Sequence, residues 1–430
     1  MARKMKDSGI EWIGEIPEGW EIVPVRSCFD EVRTKNTDGQ EQNALQFKSG
    51  NIISKTNFNA SMDDYVADTI TNYTVVLPDT VMINGLNLNY DFKSLRVALV
   101  KEKGVITSAY LAIFPDRKKI SPQYATYLFK DYETKMAFHN MGAGIRKTLG
   151  YKEFKNQPLL LPSEKEQNKI SAYLDSKCSH IDIMLSKIRS SIEEYKKLKQ
   201  AVITQAVTKG VRGEREMKDS GVEWIGEIPK EWVIQKIKSI SSRINVGVVI
   251  RPSEYFDENG TVPFLRGINV KEYLISSDNM VYINESSNRI LSKSQVHTDD
   301  ILIVRDGSIG TSCVVPAEFD GANVVSMVIA TPSISCDSRF ICYSLNSDVG
   351  KTQFTLTKIG SALTHTSVSA VSDIIVAVPS CAEQKEIADY LDAKCVEIDG
   401  LIAKKEQLVK ELESYKKSLI YEVVTGKREV

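Results

Sequence analysis

The chain repeats itself, and this repeat restricts its possible folds more than any other feature. MKDSGIEWIGEIPEGW at 5–20 returns as MKDSGVEWIGEIPKEW at 217–232, with 13 of 16 positions identical. EQNKISAYLDSKCSHID at 166–182 returns as EQKEIADYLDAKCVEID at 383–399, with 10 of 17 positions identical. Two copies are too few for a solenoid, so the repeat predicts a pseudo-two-fold molecule.

The stretches between the repeated blocks, 21–157 and 233–376, hardly resemble each other. Only their ends correspond loosely, GAGIRKTLGYKEFKNQPLLLP at 142–162 beside GSALTHTSVSAVSDIIVAVP at 360–379. Short strand-like runs bounded by glycine turns indicate mixed α and β structure in both stretches. A frame that is kept twice around two divergent inserts suggests one mechanical role and two different ligands. The alternative is a duplicated domain that has simply drifted.

The second repeated block is typical of a long helix in a coiled coil. Each copy would begin after a proline, Pro162 or Pro379, and end near Gly210 or Gly426. We predict that the two helices pack antiparallel, although two separate surface helices are the alternative. Lys405 interrupts the second apolar seam once. Residues at coiled-coil spacing are Ile170, Leu174, Cys178, Ile181, Leu185, Ile188, Ile192, Tyr195, Val202 and Ala206, and then Ile387, Leu391, Cys395, Ile398, Ile402, Val409, Leu412, Tyr415, Leu419 and Val423.

Composition excludes several classes of protein. The net charge of -1 is unusual for a free-standing DNA-binding protein, so any affinity for DNA would be local or shared with a partner. Seven cysteines without a CxxC pair favour reduced thiols, and no apolar run is long enough to span a membrane, which together predict a cytoplasmic protein. There is no HExxH motif, and Gly350-Lys351-Thr352 lacks the upstream glycine of a phosphate-binding loop. We therefore predict no catalytic site, metal or cofactor on this chain.

The repeated motifs together resemble the specificity subunits of Type I restriction-modification enzymes over essentially the whole chain. The resemblance is carried by WIGEIPEGW around Trp12 and its repeat around Trp224, by EQNKISAYLD and EQKEIADYLD, and by AVTKG and VVTGK. VPFLRGIN at 262–269 and DDILIVRDGSIG at 299–310 resemble elements of the target-recognition domains in that family. The first insert has DTVMINGLNLN at 79–89 instead, so the resemblance transfers no individual residues to it.

The resemblance implies an α+β fold with a pseudo-two-fold internal repeat. Two mixed α/β target-recognition domains would be separated by two long helices that form an antiparallel coiled coil. The implied order is a repeated N-terminal block at 1–20, the first recognition domain at 21–157, a central helix at 158–211, a linker and repeated block at 212–232, the second recognition domain at 233–376 and a distal helix at 377–430.

The same resemblance implies a non-catalytic subunit that gives DNA sequence specificity. Each recognition domain would read one half of a bipartite, asymmetric double-stranded DNA target. Two modification subunits would dock on the helices and bring S-adenosylmethionine, and restriction subunits would bring ATP and Mg. A coiled-coil adaptor with two protein-binding heads and no affinity for DNA is the alternative.

Candidate DNA contacts follow from the chemistry of base edges, which forked cations, amides and hydroxyls can recognise. Trp12 and Trp224 are predicted to be packing anchors, and Cys178 and Cys395 small core residues. The candidates in the first insert are Asn84, Asn87, Asn89, Tyr90, Arg146, Lys147 and Thr148, and those in the second are Arg266, Asn269, Arg305, Ser308, Thr364, His365 and Thr366.

Overall fold

The computed structural model describes residues 3–48, 50–55, 70–93, 95–145, 147–356 and 365–430. The chain forms two compact units, one made of residues 1–189 with 407–430 and the other of residues 190–406. Two long helices, α4 (Glu164–Lys209) and α10 (Cys381–Val424), each contribute to both units. No helix in the described ranges is long and apolar enough to cross a membrane.

The first unit combines short strands with helices that are shorter than α4 and α10. Its other elements are β1 (Met5–Asp7), β2 (Glu15–Pro17), β3 (Glu21–Pro24), β4 (Phe29–Glu31), β5 (Leu45–Lys48), β6 (Asn51–Ser54), β7 (Thr74–Val76), β8 (Val81–Ile83), β9 (Val97–Leu99), β10 (Gly104–Ile106), β11 (Leu111–Pro115), α1 (Pro122–Thr134), α2 (Ala137–Met141), α3 (Tyr151–Phe154) and β12 (Pro158–Leu161).

The second unit has the same kinds of element. They are β13 (Met217–Asp219), β14 (Glu227–Pro229), β15 (Val233–Lys236), α5 (Ile237–Ile240), β16 (Ser241–Val246), β17 (Val262–Leu265), β18 (Val270–Lys271), β19 (Leu274–Ile275), β20 (Val281–Ile283), α6 (Glu285–Ile290), β21 (Ile301–Val304), β22 (Ser312–Val314), β23 (Asn323–Val324), β24 (Met327–Pro332), α7 (Ser338–Asn346), α8 (Asp348–Leu356), α9 (Val368–Ser372) and β25 (Ile375–Val378).

Each insert contains a four-stranded sheet of the same topology, although the two sequences hardly resemble each other. In the first unit the strand order is β4-β11-β8-β9, and in the second it is β16-β24-β21-β22, with every neighbouring pair antiparallel. The second strand in each of these orders is followed along the chain by a helix, β11 by α1 and β24 by α7. Buried strands require apolar and β-branched residues but no particular sequence, so this topology can survive extensive divergence. The remaining strands pair differently in the two inserts.

The first repeated block folds in the same way in both units. It forms a hairpin, β1 with β2 and β13 with β14, in the same register. The strand after this hairpin then pairs with the strand preceding the long helix, β3 with β12 and β15 with β25. Trp20 and Trp232 close each block and are fully buried. Trp12 packs edge-on to Tyr132, as expected of an anchor, whereas its counterpart Trp224 is partly exposed.

The antiparallel coiled coil predicted from the apolar seam is confirmed. In the first unit α4 and α10 are linked by ion pairs from Lys416 to Asp182 and from Arg189 to Glu413. In the second unit Lys199 of α4 pairs with Asp399 of α10. Rising residue numbers on one helix face falling numbers on the other, which defines an antiparallel pair. The helices also begin and end within two residues of the prolines and glycines expected to punctuate them.

The seam itself follows the sequence pattern with one clear error. Cys178 and Cys395 are buried in it, and burial raises the pKa of both thiols. The pattern predicts Tyr415 in the seam, but this residue is 49% exposed. At this end of α10 the buried residues are Leu419, Ile420 and Val423 instead. Lys405 interrupts the seam as predicted, and its Nζ lies 5.4 Å from the ring centroid of Tyr195. A cation over an aromatic face is favourable, so this interruption is partly compensated.

The repeated polar residues of the helices hold each helix to its own insert. Gln167 accepts a hydrogen bond from the backbone N–H of Ser121, at 2.7 Å, just before α1. Gln384 accepts one from Asp337, at 2.9 Å, just before α7. The hydroxyl of Tyr127 donates to Asp175 at 2.7 Å. These contacts explain why the helix motif was kept in both copies without assigning it a role in chemistry.

The last of these contacts is repeated too, as is a clamp at the start of each helix. The hydroxyl of Tyr343 donates to Asp392 at 2.7 Å, as Tyr127 does to Asp175. Arg215 donates to Glu383 at 2.6 Å and lies over the ring of Trp232. In the first unit Arg3 likewise pairs with Glu166 and lies over the ring of Trp20, whose Nε1 also donates to Glu166 at 3.3 Å, a bond that Trp232 lacks. Burial alone would raise the pKa of Glu166, but hydrogen bonds from Arg3, Trp20 and Ser163 outweigh it and lower that pKa.

Asp131 in α1 is an unpartnered buried acid. It is 1% exposed, and neither of its carboxylate oxygens has a hydrogen-bond partner. Burial raises its pKa from 3.8 to about 6, although the charges of Lys135 and Lys427 oppose this. Ser347 occupies the corresponding place just after α7, where its hydroxyl donates to the carbonyl of Ser344. The second unit therefore has a neutral, satisfied group where the first has a destabilising charge.

We expect Asp131→Asn to stabilise the first unit, and to do so more at high pH. Because the pKa is raised on folding, the wild-type cost is absent below about pH 4, grows as the pH rises, and is complete above about pH 6, at on the order of 3 kcal/mol. Thermal unfolding of both proteins at about pH 4.5 and pH 8 measures this, with the exposed Asp30→Asn as the control. An equal gain at both pH values would contradict the assignment.

Candidate nucleic-acid interface

Equivalent loops of the two inserts bring the predicted contact residues together. Each insert has a loop after the third strand of its four-stranded sheet, β8 in the first insert and β21 in the second. In the first insert this loop meets the segment before α3, through Leu88 N–H to the Lys147 carbonyl at 3.1 Å. In the second it meets the segment before α9, through Thr366 N–H to the Arg305 carbonyl at 3.1 Å. Residues that are distant in sequence thus form one polar surface in each unit.

The first polar surface has an exposed part and a structural part. Asn87, Lys147 and Thr148 are exposed, and Tyr90 is 73% exposed. Asn87 and Lys147 have φ values of 52° and 39°, so both lie at turns. Arg146, the strongest basic candidate of this loop, lies outside the described residues.

The other two asparagines of this surface support its shape. The side-chain oxygen of Asn84 accepts from the N–H of Leu86 at 3.2 Å, which is an Asx turn. The side-chain amide of Asn89 donates to the carbonyl of Ile145 at 3.1 Å, while its oxygen is buried without a partner. Both residues are half-buried, so their predicted contact with DNA is less well supported than that of Asn87 and Tyr90.

Arg96 organises the first polar surface, and sequence reasoning missed it. It is 1% exposed, and its guanidinium donates to the carbonyls of Asn84 at 2.9 Å, Leu86 at 2.8 Å and Asp91 at 2.6 Å. Its backbone N–H donates to Glu133. Burial raises the pKa of Glu133 to about 7, against the effect of that hydrogen bond. The only sequence signal was a lone arginine at the start of an apolar strand.

The second polar surface contains a cleft of about 420 Å³. Three of the predicted contact residues, Arg266, Arg305 and Ser308, line it. Lys271 and Asp306 line it as well and were not predicted; Asp306 lies in the motif at 299–310, but as an acidic residue it was not counted among the donors expected to contact DNA. His365 is exposed and pairs through its backbone with Asp306. Thr364 lies outside the described residues.

Two of the predicted contacts in the second insert require correction. Asn269 is fully buried, its amide donates to the carbonyls of Ser276 and Asp278, and its oxygen accepts from the N–H of Arg266. Thr366 is also fully buried, with its backbone bonded to Arg305. Neither side chain is available to a ligand in this structure. Both instead fix the backbone on which the exposed residues stand.

The described residues contain no cluster of three or more histidines, cysteines or acidic residues that could hold a metal ion. The side chains of the two surfaces supply hydrogen-bond donors and acceptors and positive charge, together with the carboxylate of Asp306 in the second surface. The two surfaces occupy equivalent places on sheets of the same topology and differ in their side chains.

Comparisons with known proteins agree with this arrangement. A family model described as the Type I restriction modification DNA specificity domain matches residues 229–412. A specificity-subunit sequence of Methanocaldococcus jannaschii named for the MjaX system is 25% identical over 427 residues, covering 96% of this chain and 95% of that one. The MjaVIII specificity subunit of the same organism is 24% identical over 418 residues, covering 96% and 93%. The EcoKI specificity subunit of Escherichia coli is 22% identical over 208 residues, covering 47% and 44%.

Solved structures share the fold. A chain from a structure concerning complex assembly and conformational transition of the Type I restriction-modification system superposes with a TM-score of 0.72 at 14% identity, covering 95% of this chain and 98% of that one. The HsdS subunit from Thermoanaerobacter tengcongensis gives a TM-score of 0.52, also at 14% identity, covering 98% and 100%.

The fold combines two units that carry corresponding polar surfaces with a duplicated pair of long antiparallel helices. Along nearly its whole length the chain is similar to the specificity subunits of Type I restriction-modification systems, and residues 229–412 match the DNA specificity domain of that family. The solved structures share its fold.

Proposed function

We propose that this chain selects the DNA sequence on which a Type I modification complex acts, with each recognition domain reading one half of a bipartite, asymmetric target. One observation carries the proposal: loops that follow corresponding strands, β8 and β21, of two sheets with the same topology bear different polar side chains in the two domains. Asn87 and Tyr90 lie in the loop where the other domain has Arg305 and Ser308, and Lys147 lies in the segment where the other domain has His365. Different half-sites require this combination of common geometry and divergent chemistry.

The weak overall charge is consistent with DNA binding in which partner subunits make many of the phosphate contacts. A net charge of -1 gives little general attraction to phosphates, so partner subunits would supply much of the affinity that depends on salt. We propose double-stranded DNA, two modification subunits and restriction subunits as partners in the cytoplasm. The modification subunits would carry S-adenosylmethionine, and the restriction subunits ATP and Mg. The chain itself would bind no cofactor and catalyse no reaction.

The duplicated frame offers each modification subunit an equivalent docking surface. Leu198 and Tyr415 support this, because they occupy corresponding positions in the two copies of the helix and each is 49% exposed. We expect one copy of the chain to bind two modification subunits. Native mass spectrometry of the reconstituted complex measures this ratio, and a dominant one-to-one complex would contradict it.

The central test compares the chain alone with the chain in complex. With modification subunits it should bind one DNA sequence specifically and direct adenine methylation there, which sequencing of methylated bases detects. Alone it should show no methyltransferase, ATPase or nuclease activity, and calorimetry should detect no stoichiometric binding of S-adenosylmethionine. A complex that methylates without sequence preference would favour the adaptor without DNA affinity, for which the comparisons give no support.

A further inference from the structure

The cleft of the second recognition domain combines positive and negative groups at the end of β21. Arg305 and Asp306 follow that strand directly, and Ser308 follows them in the same loop. Arg266 and Lys271 also line the cleft. Arg266 is already engaged, since its Nη2 donates to the carbonyl of Asn279. The cleft is therefore a built site with several donors and one carboxylate.

Arg305 is held so that part of its donor fork stays available. Its Nε donates to the carbonyl of Thr366 at 3.0 Å, and the N–H of Thr366 donates back to the carbonyl of Arg305 at 3.1 Å. Thr366 is fully buried, so this brace is anchored in the domain. Within the described ranges, the two terminal nitrogens of Arg305 have no partner. A braced guanidinium with a free pair of donors is suited to planar, two-point recognition.

Asp306 distinguishes a base edge from a phosphate as the ligand of this cleft. Its Oδ2 accepts from the hydroxyl of Ser326 at 3.1 Å, which fixes the carboxylate in the lining of the cleft that Arg305 also lines. A carboxylate at this position would repel a phosphate. It would, however, accept a hydrogen bond from the exocyclic amine of a cytosine. Lys271, which is exposed and has no ion-pair partner in the described part of the chain, is the better candidate for a phosphate.

We propose that Arg305 and Asp306 read one G·C base pair in the major groove, an inference that rests on the proposed function. In the major groove guanine presents two acceptors, N7 and O6, and its cytosine presents a donor, N4. The free donors of Arg305 match the first two, and the carboxylate of Asp306 matches the third. An A·T pair presents an acceptor, a donor, an acceptor and a methyl group in turn. Asp306 would then face an acceptor, so that pair is rejected.

The test uses the chain in complex with its modification subunits, and sequences methylated bases in a host that carries both. The variants are Arg305→Ala, Arg305→Lys and Asp306→Ala. The control is Arg289→Ala, which removes an exposed arginine of the same domain outside the cleft. Arg305→Ala should lower methylation of the wild-type target about tenfold to a hundredfold and relax the requirement at one G·C pair only. Arg305→Lys should relax the same pair while retaining affinity for DNA, because it keeps the charge but loses the fork.

The outcomes separate this inference from the function on which it rests. Relaxation at an A·T pair, an unchanged target with full methylation, or an equal loss on all sequences with a smaller salt dependence would each overturn the inference. Should Arg305→Ala fail to fold by circular dichroism, the lysine variant decides the question. A wild-type complex with no sequence-specific methylation would instead refute the proposed function. A change in the half-site read by the first domain would also overturn the assignment of the cleft to the second.

Discussion

Replacing the second recognition domain by a copy of the first should give a chain whose complex with modification subunits methylates a symmetric target. The exchange would substitute residues 25–157 for residues 237–374, so that β15 and β25 still close the base of the domain. In the natural first unit β3 and β12 make the same pairing, which is why the borrowed insert should fit. Two identical readers on a pseudo-two-fold frame should require two inverted copies of one half-site.

The contacts that attach each insert to its helix make this exchange feasible. In the hybrid the copied Tyr127 would take the place of Tyr343 and donate to Asp392. The copied Ser121 would take the place of Asp337 opposite Gln384. The exchange would also remove Arg339, whose ion pairs with Asp389 and Asp392 lie on the surface of the helix. Exposed ion pairs contribute little to stability, so this loss should be tolerated.

Sequencing of methylated bases provides the result of this exchange. The expected change is complete at one half-site and absent at the other, since the reader of the latter is untouched. The reciprocal hybrid, with residues 237–374 in place of 25–157, is the matched control and should yield a symmetric target built from the other half-site. A hybrid that changed both half-sites, or neither, would show that the domains do not read separately.

Lengthening both long helices together should alter the spacer between the half-sites while leaving their sequences unchanged. Four residues would be inserted after Arg189 and four after Glu406, where the compact units divide. Each insertion adds about 6 Å of rise and turns the helix about 40° beyond a full turn, so the apolar seam nearly survives. Duplex DNA rises about 3.4 Å per base pair, so the preferred spacer should grow by one or two pairs.

Two-residue insertions at the same places form the control. They rotate the downstream part of each helix by about 200°, which turns the seam away from its partner and should abolish methylation. Methylated-base sequencing of both variants, with circular dichroism to assess helix content, distinguishes the cases. An active four-residue variant that kept the original spacer would show that the helices do not set the distance between the readers.

The frame could be predicted from sequence because its information is periodic and local. Seam residues such as Leu174 and Leu391 recur at a fixed spacing, and prolines and glycines mark the helix ends. Tyr415 fits that spacing equally well, yet it is exposed. Its exposure could not be predicted, because the pattern does not show which of two neighbouring stripes of the helix a partner covers. The sheet topology common to the two inserts could not be predicted from their sequences, because strand packing constrains the class of residue and not its identity.

The site was harder to predict because the same side chains serve a ligand or the backbone. Asn87 and Asn269 are both polar residues in turns, but Asn87 is exposed, while the side chain of Asn269 makes three hydrogen bonds within its own loop. Nothing within a few residues of either position distinguishes them. Arg96 shows the converse, since a residue type favoured for DNA contact is buried and bonded to three carbonyls.

The first unit contains residues from both ends of the sequence, and this affects the order in which the two units can fold during translation. Residues 190–406 form the second unit by themselves and leave the ribosome as one continuous stretch. The core of the first unit also needs Leu419, Ile420 and Val423, which are synthesised later. The first recognition domain is therefore translated first, but its core is completed last. Until then its helix lacks a partner, and the apolar face around Leu174 and Leu185 is exposed to chaperones and proteases during translation.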